Sequence, residues 1–152
     1  MDRLAPEARS RLMSRVRSKD TQPEMTVRSF LHGAGLRYRL HDHSLPGKPD
    51  LVFPSRGVVV FVHGCFWHGH AGCKKAGMPK SRQEYWRSKI QANAERDDRV
   101  IRELQESGWR VLVVWQCEIC PESLGRLSRE IQLVPKTGRP RRRVVSGAAK
   151  AR

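Results

Sequence analysis

At 152 residues with 38% hydrophobic content, the chain is long enough for one compact domain with its own core. Thirty Lys and Arg stand against 15 Asp and Glu, a net charge of +15 that exceeds what ordinary solubility needs and points to a polyanion, most simply nucleic acid. No basic amphipathic helix with a broad apolar face, no apolar signal-like stretch at the N-terminus and no run approaching a membrane span is visible, so the expectation is a cytoplasmic protein rather than a membrane-surface or secreted one.

Residues 1–20 are Arg/Ser-rich with scattered Leu12, Met13 and Val16, and read as a basic arm that becomes helical on a partner. Thr21 or Asp20 can cap a helix, with Pro23 early in its first turn and Glu24 three residues after Thr21. Met25, Val27, Phe30 and Leu31 fall near helical spacing, and Gly33 and Gly35 end the run. Residues 36–41 suit a strand. After the LPGKP turn, 50–53 and 58–64 form a central hairpin around a Pro-Ser-Arg-Gly turn.

Residues 65–81 lack periodicity and read as loop, rich in Gly, His and Lys. From Ser81 or Gln83 to about Ser107, Tyr85, Trp86, Ile90, Val100, Ile101 and Leu104 fit an amphipathic helix stopped by Gly108. WRVLVVW (109–115) reads as the clearest buried strand, and 121–134 as a last helix opened by Pro121. The order predicts a single α/β domain over 21–135, a mixed central sheet flanked by helices. Residues 136–152 carry seven Lys/Arg and no acid, and read as a basic disordered tail; taking those seven from +15 leaves the rest at +8.

The stretch from Gly47 to Cys73 is densest in reactive side chains. Asp50 alone would be a turn residue at a strand start. The hairpin, however, returns His63 towards it, and a carboxylate at a sheet end is a hard ligand for Mg²⁺, which suits phosphodiester hydrolysis. His63, His68 and His70 lie within eight residues, and one ring could be a general base near neutral pH. In a cytosolic chain the four cysteines are better metal ligands or buried thiols than disulfides. Cys65, His70 and Cys73 have the spacing of a structural zinc loop, with Cys117 or Cys120 completing a tetrahedral site; a set of four sulfurs is the alternative. Phe66 and Trp67 cannot both face the core from such a loop, and an exposed aromatic pair in a basic protein suits stacking on or wedging between bases. Trp86, Lys89, Asn93 and Asp97 share one helix face, Lys89 supplying a cation for DNA. Glu24 alone is only a capping acid.

With these residues in view, the chain resembles the very short patch repair (Vsr) endonucleases of bacteria. The resemblance spans roughly residues 10–120 and rests on SRLMSRVRSKDTQPE, LPGKPDLVF, VVVFVHGCFWHGH, PKSRQEYWRSKIQANAERD and GWRVLVVWQCE in that order. It implies a monomeric enzyme that nicks double-stranded DNA 5′ to the T of a T:G mismatch arising from 5-methylcytosine deamination, alongside other mismatch-repair proteins. The implied fold is a relative of the PD-(D/E)xK restriction endonucleases with an added structural zinc. It further implies Mg²⁺ on Asp50 and the backbone carbonyl of Val62, and His68 as general base. His63 is then a second active-site histidine, with Glu24, Asn93 and Asp97 as the polar network. Zinc falls on Cys65, His70, Cys73 and Cys117. Phe66, Trp67 and Trp86 enter beside the mismatch from the major groove, and Met13 wedges from the minor groove. Val62 stands where some members have Thr, one more residue separates His70 from Cys73, and the E-x-K that follows PD in restriction enzymes is missing. The rival readings are a restriction-type endonuclease of the same fold and a non-enzymatic zinc-containing DNA-binding protein.

Overall fold

The computed structural model describes residues 21–138 and Pro140; the basic arm with Met13, and the tail beyond Pro140, lie outside the described residues. Helix α1, Gln22–Gly33, begins where the capping signal predicts. Thr21, in extended backbone, accepts the Glu24 N–H at 3.4 Å, and Pro23 lies in the first turn, where its missing N–H costs no helical bond. Strand β1 is only Arg39–Leu40, shorter than the 36–41 expected. Its partner β2, Leu51–Phe53, has three residues, so the ladder has room for just Arg39 opposite Val52 and Leu40 opposite Leu51. Asp50 sits immediately before β2 rather than within it.

β2 turns at Pro54–Gly57 into β3, Val58–His63, as the predicted antiparallel hairpin. The long helix α2, Gln83–Glu106, then crosses to β4, Arg110–Trp115, which pairs parallel to β3 along its whole length. Helix α3, Pro121–Gln132, follows, with Cys120 as its N-cap. The result is one mixed sheet in the order β1-β2-β3-β4.

Helices cover both faces. On one side Val27 and Leu31 of α1 and Leu124, Leu127 and Ile131 of α3 pack on Leu51, Phe53, Val58 and Val60. On the other, Leu104 of α2 and Trp109 pack on Val52, Val59 and Phe61. Burial on two sides explains why β3 reads as an unbroken apolar run instead of alternating. β4 departs from the expectation of a fully buried strand: Val114 alone is buried, because the strand lies at the edge of the sheet. No helix among the described residues is long and apolar enough to cross a membrane.

Past α3 the chain returns to the far end of the hairpin. The Arg56 guanidinium donates to the Gln132 and Val134 carbonyls at 3.0 and 2.6 Å, and the Gly138 N–H donates to the Ser55 carbonyl at 2.8 Å. Contacts thus continue beyond Pro135, where the composition alone predicts disorder.

The turn ahead of β2 sets where Asp50 lands. Gly47 has φ +71°, and a Cβ there would come within 2.3 Å of Val100 Cγ1 on α2. A side chain would therefore meet both backbone strain and a packed helix. Gly47→Ala is expected to lower stability by about 1–3 kcal/mol in urea unfolding; an unchanged midpoint would show that the turn and α2 can part freely.

Candidate functional site

β3 runs on for three residues after its pairing with β2 ends at Leu51 and Val60. Among the described residues, amide groups in that overhang have no strand partner on the β2 side. The Val62 N–H donates to Asp50 Oδ2 at 2.7 Å, and the Asp50 carbonyl accepts the His41 N–H at 3.2 Å. In a strand a residue's N–H and C=O leave on the same side, so the Val62 carbonyl also faces the Asp50 edge. Burial raises the Asp50 carboxyl to about 6; the Val62 amide opposes this, and the neighbouring Glu24 adds to it.

Glu24 does not fold back as a capping residue. It is 1% exposed, and its Oε1 lies 2.5 Å from His41 Nε2. His41 is the site residue that the sequence reading missed. It follows β1 directly with φ +48°, unusual for a residue with a Cβ, and the only sequence signal was its place between the strand and the LPGKP turn.

A second cluster joins β3 to α2. His68 Nδ1 lies 2.5 Å from Asp97 Oδ2, and the His63 and His68 rings stack at 3.9 Å with 4° between their planes. His63 is buried, and desolvation first, then the His68 charge, lowers it to about 4, so it is neutral at physiological pH. Asn93 Nδ2 donates to the Trp67 carbonyl at 2.9 Å, fixing the loop residue next to His68. Asp50, His63, His68, Asn93 and Asp97 line one cleft of about 1000 Å³ with His41 and Arg96. Glu24 reaches it from α1 through His41.

The loop after β3 closes on itself. The His68 N–H reaches the Gly64 carbonyl at 3.2 Å, His70 reaches Cys65 at 3.0 Å, and Cys73 reaches His70 at 3.3 Å. This brings Cys65, His70, Cys73 and Cys117 together, their ligand atoms all within 4.8 Å of one another. His70 Nδ1 is 3.3 Å from Cys117 Sγ, and His70 Nε2 is 3.9 Å from Glu118 Oε1. Tetrahedral zinc with bonds of about 2.0–2.3 Å places its ligands roughly 3.3–3.8 Å apart, so the donor set of three thiols and one imidazole and its spacing fit zinc. Desolvation and the Cys65 and Cys73 sulfurs push the Cys117 thiol up to about 12, the burden a cation would relieve. Cys120 is outside this group: its Sγ accepts the Ser123 N–H at 3.4 Å as the cap of α3. Trp115 was also missed. Paired with His63 across β3 and β4, it stacks on His70 at 4.1 Å and stands edge-on to His63 at 5.2 Å, between the two clusters.

Phe66, Trp67 and Trp86 form one aromatic cluster, with centroids 5.1–5.9 Å apart. Phe66 and Trp67 are half-buried; Trp86 is buried beneath them, and so is less exposed than its neighbours. Lys89 is exposed on α2, its Nζ 6.0 Å from the Tyr85 ring centroid.

A half-buried carboxylate and a carboxylate-oriented imidazole line one cleft at the end of a mixed sheet in a strongly basic chain, an arrangement suited to phosphodiester hydrolysis. A family model described as DNA mismatch endonuclease Vsr matches residues 1–75. The type II nicking enzyme V.XorIIP of Xanthomonas oryzae pv. oryzae is 57% identical over 131 residues, 86% of this chain and 94% of that protein. The type II nicking enzyme V.NmeAIP of Neisseria meningitidis is 46% identical over 136 residues, 86% of this chain and 96% of that protein. The DNA mismatch endonuclease Vsr of Escherichia coli is 48% identical over 111 residues, 73% of this chain and 70% of that protein. The chain belongs to the Vsr family of DNA mismatch endonucleases.

Asp50 ionises against its surroundings. Its folded value of about 6 stands above the ordinary 3.8 of an aspartate, so the cost of folding with it charged is absent at low pH and complete above about 6. Without added divalent cation, Asp50→Asn is expected to be more stable than the parent by up to about 3 kcal/mol near pH 8, the gain vanishing by about pH 4. Thermal unfolding across that range checks it; a gain independent of pH would contradict the assignment.

Proposed function

We propose that the protein nicks one strand of duplex DNA on the 5′ side of the T in a T:G mismatch, the initiating cut of very short patch repair. The observation that carries this reading is the shared cleft. Asp50, pinned by the Val62 amide, and His68, oriented by Asp97, open onto one cavity of a size that admits a phosphate and a water.

Asp50 and the Val62 carbonyl would hold Mg²⁺, which supplies charge neutralisation on the scissile phosphate and orients the attacking water. With Nδ1 engaged by Asp97, the His68 ring presents Nε2 to take the proton from that water, and Asp97 stabilises the imidazolium that forms. His63, neutral and stacked on His68, holds the ring plane without competing for the proton. Asn93 acts through the Trp67 carbonyl as a positioning residue, and Glu24 supports the Asp50 side of the cleft.

Phe66 and Trp67 enter beside the mismatch from the major groove, with Trp86 as the ring packed behind them. A mismatched step is the least costly place to unstack, so selectivity begins before any base edge is read. Met13 wedges from the minor groove, while Lys89, the arm over 1–20 and the tail over 136–152 add salt-sensitive phosphate contacts around the 21–135 catalytic domain. Cys65, His70, Cys73 and Cys117 would hold a zinc ion that closes the loop carrying Phe66, Trp67 and His68. The Pro49-Asp50 opening of a hairpin strand supports kinship with the PD-(D/E)xK nucleases, with the histidines doing the work of the missing E-x-K.

Cleavage of a duplex with a single T:G mismatch, compared with its paired counterpart, tests the reading. A Mg²⁺-dependent nick in the T strand of the mismatched duplex is expected; double-strand cutting of the paired duplex would favour a restriction-type nuclease, and no cleavage a DNA-binding protein. Asp50→Ala and His68→Ala should abolish nicking while mismatch binding persists, and Asp97→Asn should slow it by about 10²–10⁴-fold. Metal analysis should find about one zinc per chain, lost in Cys117→Ser and kept in Cys120→Ser; the reverse would move the fourth ligand to Cys120.

A further inference from the structure

Glu24 is a buried carboxyl at the edge of the cleft with only one of its oxygens met. The residue is 1% exposed, Oε1 meets His41 Nε2 at 2.5 Å, and Oε2 has no hydrogen-bond partner among the described residues. A buried acceptor left unmet costs about 1–3 kcal/mol, more for a charged group, and is tolerated where a ligand completes it.

Three observations indicate which ligand. The donor atoms of Glu24, His41 and Asp50 all lie within 4.8 Å of one another. The Glu24 and Asp50 carboxyls thus face each other across less than 4.8 Å, an arrangement that a proton or a cation between them favours. His41 occupies left-handed backbone at φ +48°, and its N–H is tied to the Asp50 carbonyl at 3.2 Å, so a strained residue is kept facing this carboxylate pair.

We infer that Glu24, His41 and Asp50 form one divalent-cation site in which His41 Nε2 is a direct ligand, and that this nitrogen shifts the site's preference from Mg²⁺ towards Mn²⁺ and Co²⁺. Two carboxylates and water suffice for Mg²⁺, whereas an imidazole favours later, softer divalent ions. The inference rests on the proposed role of Asp50 as a cation ligand and extends that site to a nitrogen donor.

The test uses the full chain loaded with zinc, titrated separately with Mn²⁺ and Mg²⁺, as parent, His41→Gln and Asp50→Asn. Losing a ligand should cost at least what losing an outer-shell partner does, so His41→Gln is expected to weaken Mn²⁺ by about tenfold or more. Mg²⁺ should change by less than about twofold. Pulsed EPR of the Mn²⁺-loaded parent should show an imidazole nitrogen coupling that His41→Gln removes. Absence of that coupling in the parent overturns the inference whatever the variant does, which keeps the test valid if the variant folds poorly. Persistence of the coupling and of Mn²⁺ affinity in His41→Gln also overturns it, leaving Asp50 untouched. Equal loss of both metals in His41→Gln would make His41 a positioning residue for Glu24 and not a ligand. If Asp50→Asn binds both ions as tightly as the parent, the proposed role of Asp50 fails as well.

Discussion

Asp50 Oδ2 accepts the Val62 N–H at 2.7 Å across the point where β2 has ended and β3 runs on. That single contact ties the candidate site to the core. Its donor belongs to a strand packed on both faces, so the carboxylate inherits the rigidity of the sheet rather than the freedom of a turn. The same contact places the carboxylate beside the Val62 carbonyl and opposite Glu24, where desolvation and like charge raise its cost of ionising. Packing of the hairpin maintains that cost, and the proposed cation would relieve it.

The end of β3 serves two clusters at once. His63 closes the strand inside the cleft, and Cys65, two residues on, belongs to the Cys/His group. His68 and His70 repeat the division within the next turn. Trp115 stands between them, stacked on His70 and edge-on to His63. Neither cluster can shift far without displacing this ring, so the proposed zinc would steady the histidines across Trp115 as well as closing the loop. Helix α2 braces the other side: Asp97 meets His68, Asn93 meets the Trp67 carbonyl, and Trp86 fills the space behind Phe66 and Trp67. One helix face thereby fixes the ring orientation, the loop and the aromatic cluster together.

Length, charge and apolar spacing by themselves determined a single α/β domain, the central hairpin, the long helix ended by Gly108, and the family kinship carried by the stretch around Asp50 and His68. These features are legible because they depend on local period, turn chemistry and short motifs. Tertiary structure alone decided what depends on residues distant in the chain. Strand order made β4 an edge strand, exposed where an apolar run reads as buried. The loop after β3 gathered Cys117 and left Cys120 to cap α3, a choice their similar spacing could not make. His41 came to matter only when β1 paired with β2 and carried it beside Glu24, 17 residues earlier, because no local pattern records which buried carboxylate a histidine will meet.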